Sequence, residues 1–235
     1  MHLKQLLLSA ITCLLLSSCG GGSGGLLLSE GGIGGTGISV GSITGFGSIW
    51  VNGVRYDVSE ASFTRDGAVA AGQSDYRIGE IVTITGSIDA DGVSGKAVMV
   101  EFNDVLEGTL SNIDLDAKSL EVLGNAIQTD ALTVFHGFSL FSELELGNVL
   151  EISGSYNAQN EIKASSITLK EQMFTDGASM LEVKGVISEV DLSTQTFRLG
   201  RLLVDYSMAA LELPLGHPEN GQYVEVESNV APQGG

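Results

Sequence analysis

Histidine side chains are the first candidates for chemistry in this chain, because imidazole can bind metals and transfer protons near neutral pH. The sequence contains three of them, His2, His136 and His217. The Gly-x-Ser-x-Gly pattern occurs at 21–25 and 37–41, in and at the end of the glycine-rich tether and lead-in, where the strand-to-helix turn that exposes a hydrolase nucleophile is not indicated. Removal of His2 with an N-terminal signal would leave two histidines, too few for a three-histidine metal site. We therefore expect no catalytic residue, no metal and no cofactor, with a hydrolase of unrecognised site as the alternative.

Carboxylates are the second candidate group, because calcium in proteins takes about six to eight oxygen ligands. The acidic residues include two Asp-x-Asp pairs, Asp89 with Asp91 and Asp114 with Asp116. Neither an EF-hand loop nor a nonapeptide calcium repeat is present, and each pair falls at a predicted turn or strand end. The pattern favours solvated turns over a metal site.

Aromatic rings are the third candidate group, because their faces can stack on sugars or bases. Phe46, Trp50 and Tyr56 lie in or near a predicted hairpin that turns at Asn52-Gly53. The formal charge of −18, from 11 Lys+Arg and 29 Asp+Glu, argues against nucleic acid as the partner. The three rings are therefore candidates for a face that binds a neutral glycan, and burial in a barrel core is the competing interpretation.

The N-terminal segment has the pattern of an export signal. Lys4 precedes an almost wholly apolar run from Leu6 to Leu16, which is too short to span a hydrocarbon core of ~30 Å. The next segment, Leu16-Ser17-Ser18-Cys19, resembles a bacterial lipobox, in which an aliphatic residue and two small residues precede a cysteine. The resemblance implies cleavage after residue 18 and lipid attachment at Cys19. An ordinary secretory signal with a coincidental cysteine is the alternative.

The lipobox resemblance also sets the expected location of the protein. Cleavage removes Cys13 and lipidation uses Cys19, so no thiol remains for disulfides, catalysis or metal binding. Residues 20–25 are glycine and serine alone, a composition typical of a flexible tether. Gly20, where some lipoproteins have aspartate, favours the outer membrane by resemblance to sorting rules. We expect a bacterial cell-envelope protein that is attached to the membrane through Cys19.

The elements that must position these residues are short strands in an internal repeat. Segment 78–87 matches segment 146–155 at a constant offset of 68, and segment 108–120 matches segment 185–197 at an offset of 77. Apolar and polar residues alternate within each copy, as in residues 82–85, which is typical of half-buried strands. The repeat therefore predicts an all-β protein of tandem units.

Each unit is predicted to hold five strands, with a long connection between the third and the fourth. In the second unit the strands are predicted near 105–113, 119–123, 125–130, 148–155 and 161–169, and the connection around 133–146 could hold one short helix. This arrangement fits a small Greek-key barrel of the OB type, and an SH3-like barrel or small sandwich is the alternative. The third copy ends after its fourth strand, so it is either incomplete or completed by a strand from elsewhere. The predicted organisation is a signal peptide at 1–18, a Gly-rich tether and lead-in at 19–40, barrels at 41–104 and 105–171, and a partial barrel at 181–230.

Two glycine-containing segments carry a family resemblance. Residues 31–37 read Gly-Gly-Ile-Gly-Gly-Thr-Gly, and residues 45–57 read Gly-Phe-Gly-Ser-Ile-Trp-Val-Asn-Gly-Val-Arg-Tyr-Asp. In these segments the chain resembles the bacterial DUF5666 family. The resemblance implies an exported or lipid-anchored protein of tandem β-domains, and it transfers no catalytic residue.

We expect a non-enzymatic structural or interaction module of the envelope, with an envelope protein or a glycan as partner. The alternative is a glycan-binding module that uses the aromatic hairpin of the first barrel.

Overall fold

Alternating apolar and polar residues form strands along most of the chain, as the all-β prediction requires. The computed structural model describes residues 1–5 and 37–232, and 54% of the structure is strand and 3% is helical. Within the described residues, no helix has the length and apolar character needed to cross a membrane. Two 3-10 turns occupy Gln73–Asp75 and Phe141–Glu143. The strands of the described residues, in chain order, are β1 (His2–Gln5), β2 (Ile38–Gly45), β3 (Ile49–Val51), β4 (Val54–Asp57), β5 (Ser62–Arg65), β6 (Ala68–Val69), β7 (Ile81–Ile88), β8 (Ser94–Phe102), β9 (Leu106–Asp114), β10 (Ser119–Val122), β11 (Asn125–Gln128), β12 (Val134–His136), β13 (Val149–Tyr156), β14 (Ile162–Glu171), β15 (Leu181–Asp191), β16 (Thr196–Leu199), β17 (Leu202–Asp205), β18 (Ala210–Glu212) and β19 (Tyr223–Ser228).

The first unit is a closed barrel of five strands. β2 pairs with β3, β3 with β4, β4 with β8 in parallel, β8 with β7, and β7 again with β2. Numbered within the unit, the order is 1-2-3-5-4 and back to 1, the order of an OB-type Greek key. β5 lies parallel to β8 and extends the sheet outside the barrel together with β6.

The second unit repeats this pairing. Its barrel closes in the same order, through β9, β10, β11, β14 and β13. β12 lies parallel to β14, as β5 lies parallel to β8 in the first unit. The prediction of small five-stranded closed barrels is therefore confirmed. Closure pairs the barrel strands on both sides and so removes the exposed edges of an open sheet.

The third unit contributes strands β15, β16, β17 and β19 and is completed by β1. β16 pairs with β15 and β17, and β15 pairs with β19. β1 pairs with β19 in antiparallel and with β18 in parallel orientation. The strand from elsewhere thus comes from residues 2–5, within the predicted signal peptide. A short ladder between β9 and β15 joins the second and third units.

A bulge at glycine shapes the fourth strand of the first two barrels. The register shifts at Gly86 in β7 and at Gly154 in β13. A Cβ at either position would collide with backbone atoms of the fifth strand, at Lys96 and Lys163 respectively. Glycine recurs at the repeat offset because the neighbouring backbone leaves no room for a side chain.

Two hydrophobic cores lie inside these barrels. The first barrel has its own core, which includes Ile43, Tyr56 and Phe102. The second and third barrels share one continuous core, and Leu3 of β1 is fully buried in it. The last two units are thus packed as one body.

Candidate functional site

The predicted lipid-attachment residue, Cys19, lies outside the described residues. The apolar part of the predicted signal and the tether lie there as well. The described chain resumes at Gly37, directly before the first strand of the first barrel. In the sequence, the predicted tether therefore precedes the unit that carries the aromatic hairpin.

The aromatic residues of this hairpin divide between the surface and the core. In β3, Ile49 and Val51 are fully buried, whereas Trp50 between them faces outward and is 39% exposed. Trp50 lies opposite Arg55 of β4, and Tyr56 lies opposite Ile49. Tyr56 is 1% exposed and belongs to the core. The structure thus leaves Trp50 accessible and removes Tyr56 from the predicted ligand face.

Phe46 and Trp50 form the aromatic face that remains. Phe46 follows β2 in the turn before β3 and is 40% exposed. A Cβ at Gly45 would lie 3.1 Å from Cδ1 of Trp50, so glycine lets the indole approach the neighbouring strand. Ligands of OB-type barrels commonly bind on the second and third strands and on the loop between the first two. Phe46 and Trp50 occupy that loop and the second strand, where an apolar sugar face could stack on them.

The acidic pairs stabilise turns. Oδ1 of Asp91 accepts hydrogen bonds from the backbone N–H groups of Val93 and Ser94, each at 2.9 Å. Asp114 accepts from the second and third residues after it, at 3.0 and 2.8 Å. These backbone donors lower the pKa of the Asp91 carboxyl. The two carboxylates act as turn acceptors at the barrel surface.

The two histidines beyond residue 37 lie in different units. Nε2 of His136 in β12 donates to the carbonyl oxygen of Ile78 at 2.8 Å, a contact between the first and second barrels. Nδ1 of His217 is 3.4 Å from the carbonyl oxygen of Pro218. Within the described ranges, neither ring is hydrogen-bonded to a carboxylate or a hydroxyl group. The base-to-carboxylate geometry of a Ser-His-Asp triad is therefore not built at these rings.

A buried ion-pair network joins the first barrel to the second. Nη2 of Arg65 in β5 contacts Glu80 at 2.9 Å and Glu151 at 2.7 Å. Glu80 and Glu151 are 0% and 2% exposed. Lys170 contacts Glu151 at 2.7 Å and Glu107 at 3.0 Å. Burial alone would raise the pKa of Glu151, but Lys170 and Arg65 outweigh burial and lower it.

A buried lysine lies at the junction of the first and third units. Nζ of Lys184 in β15 contacts Asp104 at 2.6 Å and Asp66 at 3.4 Å, and it also contacts Glu182. Lys184 is 1% exposed and Asp104 is 3% exposed. Burial raises the pKa of Asp104 to about 7 although Lys184 opposes this shift. The pKa of Lys184 is raised because its carboxylate neighbours outweigh the effect of burial.

The carboxylates at these junctions are close enough to be compared with a metal site. Three groups of described residues place carboxylate oxygens within 4.8 Å of one another: Asp66, Asp104 and Glu182; Asp104, Glu107 and Glu151; and Glu182, Glu225 and Glu227. Each group is already contacted by a lysine, namely Lys184, Lys170 or Lys4. The geometry is that of ion pairs with ammonium groups and gives no argument for a metal.

A comparison with known families matches most of the second barrel. Residues 107–168 match the family model for DUF5666, a domain of unknown function. The second barrel is similar to the DUF5666 domain over these residues. The DUF5666 match covers β10 to β13, nearly all of β9 and most of β14, whereas the resemblance at 31–57 concerns the preceding unit. No curated protein and no solved structure matches the chain. The DUF5666 domain carries no assigned activity, so function must be argued from the side chains.

Proposed function

We propose that the protein is a non-enzymatic, lipid-anchored protein of the bacterial cell envelope that acts as a structural or interaction module. The observation that carries the proposal is the fusion of three barrels through buried ion pairs. Arg65 links the first barrel to Glu151 of the second, and Lys184 of the third reaches Asp66 of the first. Such a body presents its surfaces in fixed relative positions, which suits binding or spacing more than a moving catalytic site.

The anchoring part of the proposal is supported by the lipobox resemblance at Cys19 and by the glycine-rich segment after it. Two or three acyl chains give stable membrane attachment, whereas one chain gives only marginal attachment. The tether of residues 20–25 would then hold the barrels away from the bilayer. The formal charge of the chain would also oppose adsorption to anionic lipid, so the acyl chains would provide the attachment.

Replacement of Cys19 by alanine tests the anchor. We expect Cys19→Ala to move the protein from the membrane fraction to the soluble fraction, with a fall of about ten-fold or more in the membrane-bound share, because the acyl chains supply the attachment. Immunoblots of fractionated cells and incorporation of labelled palmitate measure the effect. Cys13→Ala is the matched control and should leave both readouts unchanged. Retention of Cys19→Ala in the membrane fraction would contradict the anchor.

A second candidate function is glycan binding on the aromatic face. The observation in its favour is the outward position of Trp50 on the second strand, with Phe46 in the preceding loop, both about two-fifths exposed. Equivalent positions in the other barrels hold Glu121 and Arg198, so the rings distinguish the first unit. A neutral polysaccharide fits these rings better than a nucleic acid does, because the acidic chain repels phosphate.

Trp50 is the only tryptophan, so its fluorescence reports on this face alone. We expect neutral envelope polysaccharides to change the Trp50 emission, and Phe46→Ala to weaken binding about ten-fold, since one stacking contact contributes about 1–3 kcal/mol. Calorimetry should show a similar loss for Trp50→Ala. Leu132→Ala, at an 83% exposed site in another unit, is the control. Unchanged affinity in both aromatic variants would exclude this face as the binding site.

A further inference from the structure

The third barrel holds its fifth strand in a way that differs from the other two. In the first barrel, β8 pairs with β7 in antiparallel and with β5 in parallel orientation. In the second barrel, β14 makes the same pairings with β13 and β12. In the third barrel, β1 pairs in this way with β19 and β18. β1 therefore occupies the fifth-strand position, which we call the strand slot, between β18 and β19.

The strand slot has a defined chemistry along its length. Leu3 lies opposite Val226 and Leu211 and is fully buried. Lys4 lies opposite Glu225, and its Nζ is 3.0 Å from Glu227 and 4.0 Å from Glu225. The slot therefore selects an apolar side chain followed by a basic one.

The contacts of β18 depend on the strand in the slot. Among the described residues, β18 pairs with β1 alone, and no ladder connects β1 with β17. An extended segment in the slot is therefore the partner of β18 and pairs with β19 on its other side, through backbone hydrogen bonds that do not depend on the residue types of the segment.

This inference rests on the proposed function, because processing before Cys19 removes residues 1–18 and with them β1. The slot would then expose the backbone edge of β19 and the carboxylates that faced Lys4. We propose that the strand slot of the processed protein accepts an extended segment of a partner protein by β-strand addition, with an apolar residue at the Leu3 position and Lys or Arg at the Lys4 position. A second copy is a poor donor, because after the loss of Lys4 ten basic residues face 29 acidic ones in each processed chain.

A peptide of residues 1–5, labelled with fluorescein at its C-terminus, serves as the probe. The unprocessed full chain is used with Leu3→Asp, which sets a carboxylate against the buried slot and displaces β1. Lys4→Glu provides a second chain, in which Glu225 and Glu227 repel the strand while Leu3 is kept. Lys118→Glu makes the same change of charge at an exposed turn and is the matched control.

We expect the Leu3→Asp and Lys4→Glu chains to bind the peptide at least about ten-fold more tightly than the wild-type and Lys118→Glu chains do, because the slot is empty only in the first two. A peptide with Lys4→Glu should bind about ten-fold more weakly, and salt should weaken binding of the natural peptide. Fluorescence anisotropy measures affinity, and circular dichroism verifies that each chain is folded.

Two results would overturn the proposal. One is a folded Leu3→Asp or Lys4→Glu chain that binds the peptide no more tightly than wild type. The other is a dimer, detected by light scattering, that excess peptide does not dissociate, because this would assign the slot to a second copy. Binding is measured in solution with an unprocessed chain, so failure here leaves the Cys19 fractionation result unaffected, and the reverse also holds.

Discussion

Replacing Arg65 with alanine is expected to lower the free energy of unfolding by about 3–5 kcal/mol, because removal of one partner leaves a buried ion pair uncompensated. Glu80 would lose its 2.9 Å contact, and Glu151 would keep Lys170 alone. The guanidinium also lies 4.1 Å from the ring centroid of Phe102, so packing on the first core is lost as well. Both effects act at the junction of the first two barrels.

Urea unfolding followed by two signals measures this effect. Trp50 fluorescence reports on the first barrel, and far-ultraviolet circular dichroism reports on all strands. We expect the two transitions to coincide in the wild-type protein and to separate in Arg65→Ala, because the units lose a shared contact. Arg55→Ala removes an exposed arginine of the same barrel and should change stability by less than about 0.5 kcal/mol. A loss below about 1 kcal/mol for Arg65→Ala would mean that water replaces the guanidinium.

The repeat made most of the barrel architecture predictable. In the second unit, strands were expected near 105–113, 119–123, 125–130, 148–155 and 161–169. The observed strands β9, β10, β11, β13 and β14 begin and end within about two residues of these positions. The agreement has a physical basis, since period-two alternation and turn residues are local signals that each strand carries in its own sequence.

The connection between the third and fourth strands was less predictable. Residues 133–146 were expected to have room for a short helix, and they contain β12 and a single 3-10 turn. β12 pairs with β14 about thirty residues later in the chain. A three-residue strand of this kind is formed by its partner, so its own sequence holds too little periodicity to indicate it.

The pairing of residues across a hairpin explains why the aromatic residues could not be assigned to the core or the surface from sequence. Trp50 and Tyr56 share even numbers, but the turn at Asn52-Gly53 separates them, and the register places Tyr56 opposite buried Ile49. The register of a hairpin decides which face each side chain takes. Burial of Tyr56 therefore depends on pairing, which the residue types alone did not fix.

The junction residues were not singled out from sequence at all. Arg65, Glu151 and Lys184 stand in strands and Glu80 stands directly before one, where a charged residue normally faces water. They are buried because a neighbouring barrel covers the outer face, as the five consecutive buried positions at the start of β13 illustrate. Contact between units is a long-range property, and a single sequence carries no direct signal for it.

Lys184 gives the second large expected effect. At pH 8, above the pKa of about 7 of Asp104, Lys184→Met should lower the free energy of unfolding by about 3–5 kcal/mol, because the buried Asp104 carboxylate loses its partner at 2.6 Å. Adding Asp104→Leu should recover much of the loss, since replacing both charges with apolar side chains removes the uncompensated group. Lys96→Met, at an exposed ion pair with Glu60, is the control and should cost less than about 1 kcal/mol. Chemical unfolding of the four chains measures these differences.

The same pair predicts how stability depends on pH. Burial raises the folded-state pKa of Asp104 to about 7, above its ordinary value of 3.8. The folded state therefore binds more protons than the unfolded state between these values, and the free energy of unfolding falls as pH rises through this window. Glu225, with a pKa raised by burial to about 7, acts in the same direction.

We expect the protein to be about 1–3 kcal/mol more stable at pH 5 than at pH 8. Asp104→Asn should reduce this difference and the exposed Asp116→Asn should not. A stability that rises from pH 5 to pH 8 would show that Lys184 holds Asp104 ionised throughout.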